Sequence, residues 1–416
     1  MTYLSIDAAR LLERLSVLGN TGRDASGTLT RLAASSEDKL GRDLLVSWLR
    51  SAGLSVTVDG IGNIFGIWGD IQRHQPLMIG SHIDTVINAG ILDGCYGVLS
   101  ALSVIEALQG SGKQPARPIV LTAFTNEEGV RYQPDMMGSL VFAGGYSLQA
   151  ALASVGTDGS ILGQELKRIG YAGSETPGSI RPAMYLELHI EQGPILEAGD
   201  CTIGVVEDLQ GISWQRVTIE GVANHAGTTP MAMRCDAGLA AARVITFLRD
   251  EIAATPPTVA TVGSIKFQPD AINIIPSRAV LTVDLRDPDE QRLLAAEQHL
   301  TRFVKQLAQQ ESVEIRLERI VRLKPVAFDR DLVGLIECAA DVRGFKSRRM
   351  TSGAGHDAQM IARVCPAAMI FVPSRGGISH SPDEHTDEAD LIAGANILLD
   401  VAAGLSTSCD RTLPCV

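Results

Sequence analysis

The chain of 416 residues predicts an α/β protein, with a mixed, mostly parallel sheet sandwiched by helices and a smaller α+β block inserted into it. Three observations predict this class. Compact apolar runs, without polar alternation, recur between helical spacings, as strands buried on both faces require. From about 211 to 325 the rhythm changes to strand, helix, strand, strand, helix, strand. The length also exceeds what one core ordinarily organises, so two domains are the prior.

Taken in order, MTYLSIDAARLLERL carries acids early and reads as an amphipathic helix rather than a leader. PLMIGSHID (76–84) is a strand, GVLSALSVIEAL (97–108) a helix, and PIVLTAFTNEE (118–128) a second buried strand. AMYLELHI (183–190) and AAMIFVPS (367–374) read as further strands of the same sheet. In such sheets the working residues gather beyond the carboxyl ends of strands, where His82, Glu127, Glu128 and the segment from Arg375 to His380 fall. The inserted block takes WQRVTIEG (214–221), the helix 236–252, TVATVGSIKF (258–267), RAVLTVDLR (278–286), the helix 288–310 and VEIRLERI (313–320). That order is the order of a ferredoxin-like sandwich. The expected organisation is a first domain part at 1–210, an insert at 211–327, and a second part at 328–416.

Composition excludes several classes. A net charge of -12 and a pI near 5.2 lack the Lys and Arg excess that nucleic acid or an anionic membrane demands. No apolar run is read as approaching the roughly 20 residues that span a bilayer. Seven cysteines, unpaired in spacing, make neither a disulfide framework nor a zinc knuckle, so a reduced cytoplasmic setting is expected. The tail with Cys409 and Cys415 reads as loosely ordered.

The chemistry lies in five separated segments. They are His82 in GSHIDT, Asp93 in ILDGCYG, Glu128 in TNEEG, His189 in ELHIEQG and His380 in GISHSP. Imidazoles combined with a carboxylate able to bridge form the ligand set of a paired-metal hydrolase rather than a structural zinc site. Asp84 stands two residues from His82 on the same strand face, where its carboxylate can accept the second imidazole N–H. Glu127, adjacent to Glu128, is a second carboxylate free to act as a base. On the strand ELHI, Glu187, His189 and Glu191 share one face, and a polar face in a buried sheet calls for solvent or an ion. His74 and His299 lack such contexts and read as surface residues.

With GSHIDT, LDGCYGV, EEG, ELHIEQGP, NHAGTTPM, INIIP and GISHSP in this order, about residues 5–402 resemble the M20 family of metallopeptidases. Within it the likeness is to the amidohydrolases that cleave carbamoyl and ureido groups. The resemblance implies a di-metal exopeptidase-like catalytic domain and an inserted lid and dimerisation domain. It implies two divalent ions per subunit, zinc or else manganese, cobalt or nickel. Asp93 would bridge them, His82 and His189 would complete one site, and Glu128 with His380 the other; which pair serves which ion the sequence does not state. Glu127 would be the general base and later the proton donor to the leaving nitrogen. His225 in NHAGTTPM would cross the interface of a homodimer to stabilise the oxyanion. Arg286 and Asn273 would take the carboxylate of a small-molecule substrate, with Gln192, Gly355 and His356 nearby. Allantoate-cleaving members carry consecutive arginines shortly after the glycine matching Gly211, where this chain has Ser213 and Trp214. The run GISW is similar to that of hydrolases of N-carbamoyl-L-amino acids, and an aromatic there favours an apolar side-chain pocket.

Overall fold

The structure, a computed structural model, describes residues 4–112 and 114–407. The tail with Cys409 and Cys415, and Met1 to Tyr3 of the amino-terminal segment, lie outside the described residues. The helix expected at the start runs Ala8–Asn20, later than the sequence suggested, because the Asp7 carboxylate accepts the Arg10 N–H and caps it there.

Strands run in chain order as β1 (Ser55–Val58), β2 (Ile64–Trp68), β3 (Leu77–His82), β4 (Ile119–Phe124), β5 (Met184–Ile190), β6 (Ile203–Leu209), β7 (Gly211–Glu220), β8 (Val259–Gln268), β9 (Arg278–Asp287), β10 (Glu314–Leu323), β11 (Val326–Ala327), β12 (Ser347–Ser352) and β13 (Ala367–Val372). The chain divides into two compact units, Met1–Glu207 with Phe328–Val416, and Asp208–Ala327.

In the first unit the sheet order is β1-β2-β4-β3-β5-β13-β6, with β12 beside β6. β3 pairs parallel with both β4 and β5, and β5 parallel with β13. Antiparallel pairs close the flanks at β1–β2, β2–β4 and β13–β6. Every residue of β3, β4, β5 and β13 is buried, so both faces of the central sheet are covered. This is why those runs lack alternation. Because the four strands are parallel neighbours, their carboxyl ends arrive side by side.

The helix Cys95–Gly110 lies close against β5: a Cβ on Gly97 would strike the Leu188 carbonyl oxygen. The helix Glu388–Thr407 packs against it. Its stretch Glu388–Ser406 is long and apolar enough to cross a bilayer, contrary to the sequence expectation. Asn396 and Asp400 interrupt its apolar run, and most of the stretch is buried within the unit.

The second unit is a four-stranded antiparallel sheet in the order β10-β7-β9-β8. Burial on β9 alternates strictly, as one covered face requires. Val217, Ile219, Leu281, Val283 and Leu285 pack there against Val244 and Phe247 of the helix Ala237–Phe247 and Leu293 and Leu300 of the helix Glu290–Gln310. His299, read as a surface residue, is instead half-buried, edge-on to Phe247 at 4.9 Å between centroids. The opposite sheet face carries Trp214 and Arg286.

Candidate metal centre

Each donor is set by the end of a strand or the turn beyond it. β3 terminates at His82, which is in register with Phe124, the last residue of β4. Beyond β4 the chain turns at Asn126, which adopts φ 58 and whose amide donates to the carbonyls of Tyr132 and Pro134. That turn presents Glu127 and Glu128. His189 is in register with Phe371 of β13, and the loop after β13 leads to His380. Asp93 enters from the turn before the helix Cys95–Gly110. There Gly94 has φ 64, and any Cβ on it would collide with the His82 ring. Only glycine fits that position.

Two groups of donors result, and Asp93 belongs to both. His82, Asp93 and His189 form one; Asp93, Glu128 and His380 form the other, each with ligand atoms within 4.8 Å. Asp93 Oδ1 lies 3.4 Å from His82 Nε2 and 3.1 Å from His189 Nε2. Its Oδ2 lies 3.2 Å from His380 Nε2, which is 3.5 Å from Glu128 Oε2. Two donors sharing one tetrahedral cation lie about 3.3–3.6 Å apart, so this spacing suits ligands of a common ion.

The donor chemistry agrees. His82 Nδ1 bonds the Asp84 carbonyl and His189 Nδ1 the Ile190 carbonyl, both at 2.9 Å. A carbonyl only accepts, so each Nδ1 carries a proton, and in the neutral ring each Nε2 presents a lone pair. The Gly94 N–H donating to His189 Nε2 at 3.0 Å fits that tautomer. Lone pairs therefore face the Asp93 carboxylate, and buried Glu128 Oε1 has no hydrogen-bond partner. Acceptors aimed at acceptors need protons or cations between them.

The electrostatics of the protein alone carry the same message. Burial opposes a proton on His82, yet Glu127, Asp93 and Asp84 together hold its pKa well above the ordinary value. The hydrogen bond to Asp93, helped by Glu128, holds His380 up to about 9 against burial. Burial would raise Asp93, but the surrounding imidazoles His189, His380 and His82 drive it well below the carboxylate range. Burial, then Asp93, pushes Glu128 up to about 8. Burial, with Glu128, Asp357 and Asp93, raises Glu127 well above its ordinary range, against the pull of His82.

Glu127 stands outside both donor groups, with Oε2 3.5 Å from His82 Nε2. Asp84 departs from its expected role. Its carboxylate is 4.0 Å from His82 Nδ1, because it is drawn instead to the N–H groups of Glu127 and Glu128 at 3.3 Å each. Its backbone orients the imidazole and its side chain steadies the acidic turn. The polar face of β5 is likewise divided: only His189 joins the donors. Glu187 accepts from Ser81, Tyr185 and the Ala358 N–H, and Glu191 from the N–H groups of Ile195 and Leu196.

Gln192, read as a substrate contact, donates from Nε2 to Asp93 Oδ2 at 2.8 Å, while its Oε1 is buried without a partner. His356 is buried with its ring 4.5 Å from that of His189, and Gly355 precedes it. Burial, then the neighbouring His189, keeps His356 neutral.

Within the second unit, His225 and Asn273 are both exposed and lie on paired loops: the Ala226 N–H donates to the Asn273 carbonyl at 3.0 Å. Arg286 and Trp214 share the uncovered sheet face, in register with Ile212 and Asp284. The Arg286 fork already grips Asp284, with Nε to Oδ1 at 3.1 Å and Nη2 to Oδ2 at 2.9 Å. Sequence reading missed Asp284, although two residues apart on a strand means one face. It also missed Glu384, four residues beyond His380, and buried Arg31, which donates to the Ile83 carbonyl behind His82 at 2.8 Å.

Fold and donor set together define a metal-dependent hydrolase of the peptidase type. Residues 78–404 match peptidase family M20/M25/M40, and the chain belongs to that family; it is a hydrolase acting on C–N bonds. It is 38% identical over 395 residues to N-carbamoyl-L-amino-acid amidohydrolase of Rhizobium meliloti, covering 94% of this chain and 95% of that one. It is 34% identical to allantoate amidohydrolase of Bacillus subtilis, covering 92% and 94%. A solved amidase of the hydantoinase/carbamoylase family from Burkholderia multivorans superposes with a TM-score of 0.94 at 42% identity, covering 98% and 99%.

Proposed function

We propose that the protein hydrolyses the carbamoyl C–N bond of N-carbamoyl-L-amino acids, giving L-amino acid, ammonia and carbon dioxide with one water consumed. The observation that carries the hydrolytic step is Glu127, a buried carboxylate beside the donors that belongs to neither donor group, and the likeness to N-carbamoyl-L-amino-acid amidohydrolase supports the substrate class. His82, His189 and Asp93 would hold one divalent ion, and Glu128, His380 and Asp93 a second. Imidazole and carboxylate donors without thiolate suit zinc, manganese, cobalt or nickel. When bound, such ions supply Lewis acidity, which polarises a carbonyl and makes water acidic near neutral pH.

Glu127 Oε2 takes the proton of the attacking water and later returns it to the leaving nitrogen. Burial, which raises its affinity for a proton, suits both roles. Gln192 Nε2 donates to Asp93 Oδ2 and so holds that carboxylate between the two donor groups. In the same reading Arg286, shared with or released from Asp284, and Asn273 would take the substrate carboxylate, and Trp214, 39% exposed, would meet an apolar side chain of the substrate. Gly355 and His356 would border the substrate beside His189. His225 would serve the oxyanion of a second copy of the chain. A homodimer through the second unit is supported by β8, an edge strand with exposed Val259, Ile265 and Phe267.

Ammonia release from metal-loaded protein, offered a panel of N-carbamoyl-L-amino acids and allantoate, tests the reading. Turnover of the carbamoyl amino acids with apolar side chains, and little of allantoate, is expected. Preference for allantoate would assign the site to that ureido acid instead.

A further inference from the structure

Of the ligands, His380 is the least enclosed, with a side chain 52% exposed on a loop residue at φ 54. Its loop is tied to the turn that carries Asp93 by a residue outside both donor groups. Glu384 is 8% exposed. Its Oε1 accepts the N–H groups of Leu92 at 2.9 Å and Asp93 at 3.2 Å, across 291 residues from the latter. Its Oε2 accepts the hydroxyl of Ser379, the neighbour of His380, at 2.9 Å. Gly90 makes room: any Cβ there would collide with the Glu384 carboxylate.

We propose that Glu384 is a positioning residue of the metal centre, clamping the turn that carries Asp93 to the loop that carries His380. A carboxylate oxygen accepts two hydrogen bonds, so one side chain fixes two main-chain N–H groups and a hydroxyl at once. Asp93 must face both donor groups, and its rotation about Cα–Cβ is set by where its backbone is held. Outer partners of ligands act in this way, and their loss costs about 10- to 100-fold in metal affinity. Glu384 acts so only if the donors hold metal.

Zinc titrated into metal-free protein against a chromophoric chelator provides the test. If wild type takes up neither zinc nor manganese, cobalt or nickel, the metal reading itself is overturned. If wild type binds and Glu384→Ala binds equally well, the role of Glu384 alone is overturned. The expected result is affinity about 10- to 100-fold weaker in Glu384→Ala. Glu384→Gln, whose Oε1 still accepts both amides while Ser379 turns to accept from Nε2, should stay within about threefold of wild type. Glu384→Gln as weak as Glu384→Ala would refute the hydrogen-bond basis. Gly90→Ala displaces the carboxylate without altering a ligand and should weaken zinc in the same direction; it decides the matter if Glu384→Ala does not fold. A merely structural role would lower the melting temperature of the metal-free variants and leave the zinc affinity of the folded protein unchanged.

Discussion

Replacing Arg42 by Met removes a buried cation and strands its partner. Arg42 and Asp38 lie one turn apart on the helix Ser36–Ser51, with side chains 1% and 0% exposed and Nε 2.7 Å from Oδ2. The same guanidinium donates to the Gly62 carbonyl at 2.6 Å and to Thr125 Oγ1 at 3.2 Å. The helix is thereby tied to the residue that leaves β4 toward Glu127. Without Arg42, Asp38 keeps a charge with no counter-ion, and two acceptors lose a donor. Breaking a buried pair in this way costs about 3–5 kcal/mol. That is roughly a 100- to 5000-fold shift toward the unfolded state. Urea unfolding of wild type and variant, with slopes compared, measures the difference. Asp38→Leu combined with Arg42→Met should recover most of the loss. About 1–2 kcal/mol should remain, because Asp38 Oδ2 also accepts the Ala34 N–H. A single variant within about 1 kcal/mol of wild type, or a double variant as unstable as the single, would show that the Asp38–Arg42 pair does not hold the helix in this way.

Arg131 offers a test in acid. It is 8% exposed and donates to Asp158 at 3.0 Å and Glu165 at 2.9 Å. The Ser160 hydroxyl and amide, then Arg131, hold Asp158 down to about 2; Arg168, then Arg131, lowers Glu165. Carboxylates depressed in the folded state stabilise above their unfolded values near pH 4, and that stability is lost as pH falls toward about 2. Arg131→Met should therefore cost about 1–2 kcal/mol at pH 7, with the gap to wild type narrowing from pH 5 to pH 2. A gap independent of pH in urea titrations would contradict this. Arg286→Lys loses the planar fork, so KM for carboxylate substrates should rise about tenfold with kcat little changed. An unchanged KM would remove Arg286 from substrate binding.

What could be read from the sequence follows its physics. β3, β4, β5 and β13 were legible because burial on both faces writes continuous apolar runs, and β9 because one covered face writes strict alternation. β1 and β2 are short antiparallel flanks among glycines and left no such pattern. The donors were legible because each is a costly residue type at a strand end or in a glycine-flanked turn. Glu384, Arg31 and Arg42 were not, since a lone charge in a segment reveals nothing of a partner far along the chain. Asp84 shows a finer limit. Spacing placed its carboxylate on the imidazole's side of the strand, but only the fold brings the N–H groups of Glu127 and Glu128 to compete for it.

The most direct test compares wild type with Glu127→Gln in one assay of ureido-acid turnover, each protein with its bound metal quantified. Equal divalent metal is expected in both, with turnover lower by about 100- to 10,000-fold in the variant. Retained turnover, or wild-type protein that is active without any divalent ion, would contradict this expectation.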